Sequence, residues 1–284
     1  MKSTTGRRTA CSVAAMAALT GLVACTSSGS AEEPRQSPKA TGPASLAALR
    51  AAERSTEEAA SARVRSVTVM GTQLSVTGDG VIGWGAGLKG TMTITYTGGT
   101  VADTMRELGV ISMEARYLAD AYYARMGDTF AARLGGKHWV RYAYEDLKAV
   151  GGGANFADQM RSTTPDQSVK LLLDSDDVRE VGVEQVGGQA ATHYSGTVRV
   201  GDVSDAELRT QLERAGVTTE TVDIWVDDRD LLVKKVEKSR TATEQVTQTA
   251  HYSDYGVRVS VTRPPASDTE DFKTLLKSQD GTTS

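Results

Sequence analysis

Thr91-Met92-Thr93-Ile94-Thr95-Tyr96 alternates polar and apolar residues with a period of two, so Met92, Ile94 and Tyr96 share one face of an extended strand. The same alternation recurs outward in both directions. Val67 and Val69, Leu74 and Val76, and then Ile111, Met113 and Ala115 repeat it, each reading as a half-buried strand. Gly78-Asp79-Gly80, Gly98-Gly99 and Ala119-Asp120 supply turn chemistry between them. Residues 122–126 and 138–142 extend the sheet, and 257–261 reads as its last strand.

Further along, 178–185, the Gly187-Gly188 turn and 192–200 form another hairpin. Val222, Ile224 and Val226 mark a strand that turns at Asp227-Asp228 into 232–238 and 246–252. Helical spacing appears in few places. Leu46, Leu49, Ala52, Ala59 and Ala60 give an amphipathic helix to about Ala62, and Val169, Leu172 and Leu173 line one face of a helix after Pro165. Ser204, with Glu207 three residues on, reads as a capping box that opens a helix ending at Gly216. Residues 146–150 suggest a short helix, 100–109 a polar insertion, and 268–277 a terminal helix with Phe272, Leu275 and Leu276 inward. With no alternation of strand and helix, a parallel sheet is excluded. The expected class is α+β: one large, curved antiparallel sheet of about ten or eleven strands, a half-open barrel, with helices covering its concave side.

At the other end of the chain, Lys2, Arg7 and Arg8 precede an apolar run from Ala10 to Ala24, the order of an export signal and too short to span a bilayer. Leu22-Val23-Ala24-Cys25 resembles a bacterial lipobox, followed by the polar Thr26-Ser27-Ser28-Gly29-Ser30. Cleavage before Cys25 and diacylation of its sulfur would anchor the chain firmly to a membrane. Arg7-Arg8 leaves both Sec and twin-arginine export open. The expected organisation is a signal peptide at 1–24, a lipidated N-terminus and tether at 25–44, a folded domain at 45–278 and a free tail at 279–284. Residues 26–43 carry almost nothing apolar, so they reach roughly 20 to 25 Å as a flexible coil.

Composition narrows the partners. The formal charge is −4, and removing 1–24 takes three basic and no acidic residues, leaving −7. Nucleic acid is therefore excluded as a partner. Both cysteines, Cys11 and Cys25, lie at or before the cleavage point, so no disulfide or thiolate serves the domain. Aromatics are only 5%, a mix that favours strands of Val and Thr over a helical bundle.

Catalytic and metal signatures are missing. Gly78, Gly80, Gly83 and then Gly85, Gly87, Gly90 match the dinucleotide fingerprint, but a period-two strand follows where a helix N-terminus is required. His138, His193 and His251 are too scattered to read as ligands, and Asp174, Asp176, Asp177 and Glu180 lack the spacing of a calcium loop. No nucleophile elbow, Ser-x-x-Lys pair or His-Glu-x-x-His helix occurs, so neither enzyme, metal nor cofactor is expected. The remaining candidate is an apolar cavity on the inner sheet face, lined by Val67, Val69, Leu74, Val76, Met92, Ile94, Tyr96, Ile111, Met113, Met126 and Ile224.

Gly135-Gly136-Lys137-His138-Trp139, Thr192-His193-Tyr194-Ser195-Gly196-Thr197, Val222-Asp223-Ile224-Trp225-Val226-Asp227-Asp228, Tyr252-Ser253-Asp254-Tyr255-Gly256 and Pro264-Pro265 stand in an order that, with the lipobox, resembles actinobacterial lipoproteins of the LppX/LprAFG family. That family is similar in fold to the LolA and LolB carriers. The resemblance implies a half-open barrel plugged by helices and a cavity holding acyl chains of envelope lipids or lipoproteins. The expectation is a monomeric, non-enzymatic carrier on the outer face of the cytoplasmic membrane. Its alternative is an interaction or sensor lipoprotein whose core is filled by its own side chains.

Overall fold

The computed structural model describes residues 39–40, 42–149, 164–241 and 244–280, all within the unit Gln36–Ser284. The expected signal peptide, Cys25 and most of the tether lie outside them. Thirteen strands form one sheet. After β1 (Lys39–Ala40), the first half is a meander of β2 (Ser61–Met70), β3 (Leu74–Gly83), β4 (Lys89–Gly98), β5 (Ser112–Tyr117), β6 (Ala121–Arg125) and β7 (Trp139–Ala143). A second meander comprises β8 (Arg179–Val186), β9 (Gln189–Arg199), β10 (Thr219–Val226), β11 (Leu232–Arg240) and β12 (Gln245–Ser253), and β13 (Thr269–Asp271) follows. The spatial order is β1-β8-β9-β10-β11-β12-β2-β3-β4-β5-β6-β7-β13. Pairing of β12 with β2, from Val246↔Met70 to Ser253↔Arg63, joins the two meanders edge to edge.

Seven α-helices occur among the described residues: α1 (Pro43–Ala59), α2 (Thr100–Glu107), α3 (Asp128–Ala131), α4 (Tyr144–Ala149), α5 (Pro165–Leu173), α6 (Ala206–Arg214) and α7 (Phe272–Asp280). Leu49, Ala52 and Thr56 of α1 and Val169, Leu171 and Leu172 of α5 bury themselves against the inner sheet face. Thr56 accepts a hydrogen bond from the Leu232 amide (3.2 Å), and the Trp84 indole donates to the Glu57 carbonyl (3.2 Å), tying α1 to the strands beneath it. The helix stops at Ala60, left-handed at φ 60°, and Ser61 enters β2 at once. Leu172, Leu49 and Ile224 are fully enclosed, each contributing roughly 1.5–3 kcal/mol of burial.

The expected class holds, with corrections of detail. The sheet has thirteen strands, and its last pairing, β13 with β7, is a three-residue parallel one. Gly78-Asp79-Gly80 is no turn but the middle of β3, paired on both sides. The glycines serve close approach: a Cβ on Gly80 would lie 2.1 Å from the Thr91 carbonyl oxygen and 2.8 Å from Met92 Cα. The turn between β2 and β3 uses Gly71 instead, at φ 46°. Within the polar insertion, residues 100–107 form helix α2. Asp205, not Ser204, caps α6, accepting from the Glu207 and Leu208 amides at 2.9 and 3.0 Å, while the Ser204 hydroxyl turns away to Asp174.

Residues 257–261 do not pair as a strand. They run extended over the outer sheet face as a strap, held where Ser61 donates to the Val257 carbonyl (2.7 Å), Arg116 to the Thr262 carbonyl (2.8 Å), and Arg263 to Asp120 (2.9 Å). Their alternation is that of an extended chain laid on a sheet. Beneath the strap, Ala121, Tyr123 and Trp139 form a small outer core, with the Arg116 guanidinium 4.4 Å from the Trp139 ring centroid.

Gly80→Ala should therefore lose about 1–3 kcal/mol in urea unfolding, because the obstructing atoms are backbone. Val67→Thr, on the exposed outer face, should stay within about 0.5 kcal/mol of the parent. Equal effects would show that the faces have been misread.

Candidate functional site

Strand parity decides which expected lining residues face inward. Leu74 and Val76 share the inner face with Met92, Ile94, Tyr96, Met113 and Met126 through successive pairings. Val67 and Val69 are one residue out of that phase and are 43% and 38% exposed on the outer face; Ile111 precedes β5 and is 64% exposed. These three do not line a cavity. Ile224 faces inward but is wholly enclosed by core.

Among the methionines expected to line a cavity, Met113 packs against a cluster of tyrosines. Tyr117 stacks on Tyr122 (5.5 Å), Tyr122 on Tyr142 (5.3 Å), and Tyr142 meets Phe272 of α7 (4.8 Å). The hydroxyls of Tyr96 and Tyr122 both reach Met113 Sδ at 3.7 Å. Burial pushes the Tyr142 phenol up to about 12 and raises Tyr117 and Tyr122 as well, so all remain neutral. Leu74, Val76, Ile94, Tyr96 and Met113 remain partly exposed on this half of the inner face.

The cavity lies in the other half, between α5, α6 and the strands β10, β11, β12 and β2. It measures about 290 Å³. Its walls combine apolar residues, Leu171 from α5, Leu208 and Leu212 from α6, Val217, Met70 and Val246, with polar ones, Thr164, Gln167, Gln211, Ser239 and Thr241. Its floor is charged. Glu220 of β10 and Lys235 and Glu237 of β11 project onto it, together with Ser168 and Gln248. Among the described residues, none of the expected lining residues borders this cavity.

Lys235 is 4% exposed, and its ammonium donates to Glu237 (2.8 Å) and to Ser168 Oγ (3.0 Å). Burial disfavours its charge, but the Glu237 carboxylate outweighs that and holds the lysine above its ordinary value. Glu220 is 8% exposed and has no hydrogen bond to its side chain among the described residues. Burial first, and repulsion from Glu237 second, push its carboxyl up to about 8 against a smaller pull from Lys235. At neutral pH the floor therefore holds one ion pair and one protonated acid.

Sequence periodicity missed this floor for a definable reason. In Lys234-Lys235-Val236-Glu237, Lys234 and Val236 lie on the outer face against Trp225, while Lys235 and Glu237 face inward. The usable signal was a Lys and a Glu two apart on one strand, beside a strand bearing Glu220. Elsewhere, His193 is held on the outer face between Glu184 and Asp223, at 2.9 Å each, and stacks on Trp225 at 4.1 Å. His138 pairs with Asp268 at 2.7 Å. Among the described residues no three His, Cys, Asp or Glu side chains converge as metal ligands.

The buried acid fixes a pH dependence. Because the folded-state pKa of Glu220 lies above its unfolded value near 4.5, the folded state binds more protons between about pH 4.5 and 8, and stability falls as pH rises through that window. Glu220→Gln should unfold like the parent near pH 4.5 yet be more stable by about 1–3 kcal/mol at pH 9. Parallel pH profiles for the two proteins would contradict the assignment.

No family model matches the chain. Among known proteins it resembles SCO4650 of Streptomyces coelicolor, named a lipoprotein, with 55% identity over 299 aligned positions covering 98% of this chain and 99% of that one. A 31.2 kDa protein from the rplA–rplJ intergenic region of Streptomyces griseus is 50% identical over 245 positions, 82% of this chain and 80% of that one. Among solved structures, LprF of Mycobacterium bovis superposes with a TM-score of 0.52 at 14% identity, over 80% of this chain and all of that one. The Mycobacterium tuberculosis lipoprotein LppX gives 0.50 at 17%, over 78% of this chain and all of it. The chain thus belongs to the actinobacterial lipoprotein family of SCO4650 and carries the LppX/LprF fold.

Proposed function

We propose that the protein is a lipid-anchored, extracytoplasmic carrier that shields an acyl chain in the cavity between α5, α6 and the β10–β2 strands. The observation that carries this reading is the cavity itself: about 290 Å³ with leucine, valine and methionine walls, on the inner face of an unclosed sheet. That volume is at the lower end of ligand sites and suits one chain rather than several. Each methylene sheltered there is worth about 0.8 kcal/mol, so even a half-inserted chain binds usefully. Cys25, diacylated after cleavage of 1–24, would hold the domain to the outer face of the cytoplasmic membrane. No helix among the described residues is long and apolar enough to cross a membrane, so the anchor would be the acyl groups.

The stacked tyrosines Tyr117, Tyr122 and Tyr142 on the inner face favour a second reading, in which the protein engages a protein partner and the cavity is incidental.

Native mass spectrometry of purified protein separates the two. Carriage predicts a co-purified amphiphile that Leu212→Trp, filling the cavity from α6, displaces without lowering the melting temperature. Lipid-free protein that also refuses added lipid would leave the partner reading. Cys25→Ala should move the protein from the membrane to the soluble fraction in cell fractionation; unchanged partitioning would refute the anchor.

A further inference from the structure

The cavity floor carries a charge imbalance. Two carboxyl groups, Glu220 and Glu237, face a single ammonium, Lys235, and the lysine donates its hydrogen bonds to Glu237 and Ser168. Glu220 is left buried, bordering the cavity, with no hydrogen bond to its side chain among the described residues. Nearby charges do not complete the set. Asp166 of α5 is taken by Lys170 at 2.8 Å, and Tyr252 of β12, raised by burial, stays a neutral phenol. A second buried acceptor, Gln167 Oε1 of α5, also borders the cavity without a partner among the described residues. Unmet buried acceptors are costly, and a buried acid that must stay protonated to be tolerated costs more when ionised.

We infer that the cavity selects an amphiphile whose inserted polar end is an ammonium, with Glu220 as its counter-ion and Gln167 as a second acceptor. This rests on the proposed reading of the cavity as a lipid site. An incoming R–NH₃⁺ gives two ammoniums for two carboxylates; Glu220 then ionises and its proton leaves to solvent, so binding near neutral pH releases up to one proton. A carboxylate or phosphate end would instead add an anion beside the Glu237 carboxylate and gain no counter-ion, since Lys235 is already paired with Glu237 and Glu220 would stay protonated. The apolar chain lies along Leu171, Leu208 and Leu212 in either case.

The test uses three probes of equal chain length on the purified full chain at pH 7: n-decylamine, n-decanol and n-decanoate, followed by isothermal titration in buffers of differing ionisation enthalpy. The amine should bind about tenfold more tightly than the alcohol, with decanoate weakest and proton release seen only for the amine. In Glu220→Gln the amine should lose its preference over the alcohol. If alcohol and acid bind as tightly as the amine, or the preference survives in Glu220→Gln, the ammonium assignment is wrong while the lipid site stands. If none of the three binds, the lipid site fails and this inference with it.

Discussion

The pairing of β12 with β2 is the contact on which the rest of the architecture depends. Eight consecutive residue pairs, from Val246↔Met70 to Ser253↔Arg63, weld two meanders that each follow simple neighbour-to-neighbour order. Without it each meander would present a long unpaired edge, and α1, tied to Trp84 beside the first meander and to Leu232 of the second, would lose one of its two footings. With it, Ala250 and Tyr252 meet Ser66 and Val64 across the seam, and both helices settle over the joined face. The cavity belongs to this seam, since Met70 and Val246 are opposed across it and form part of its wall.

The two halves solve the same problem differently. In β4 to β7 the inner face is covered by stacked tyrosines and methionines, whose hydroxyls find sulfur or remain neutral. In β10 to β12 it is crossed by a lysine and two glutamates that no packed core requires. A buried ion pair is weak evidence for stability, since an apolar replacement of equal volume is often as good. Retained charge beside a cavity is better understood as serving what enters it.

Much of this was legible from period-two alternation. Met92, Ile94 and Tyr96 faced inward as expected, α1 and α5 formed close to their expected positions, and the hairpin at Gly187-Gly188 formed with both glycines at positive φ. What escaped was information that alternation does not carry. Val67 and Val69 alternate perfectly, but alternation gives two faces without naming the inner one; only pairing with β3 and β12 assigns it. Gly78 and Gly80 looked like punctuation because glycine answers equally to a turn and to close backbone approach. Residues 257–261 kept strand-like spacing while lying across a sheet rather than within it. The charged floor was hidden because β11 sets Val233 and Val236 outside under Trp225 and Lys235 and Glu237 inside, the reverse of the usual rule at those positions.

The seam has a consequence for the order in which the chain is made. About 180 residues separate β2 from the strand that completes it. During synthesis or export, the first meander emerges with the free edge of β2 carrying Val67 and Val69 on an exposed face, and stays so until nearly the whole chain has followed. For that interval the protein is a template in search of a strand, and its own β12 competes with whatever neighbour arrives first. Fast delivery of the C-terminal third matters as much to its yield as the stability of the finished sheet.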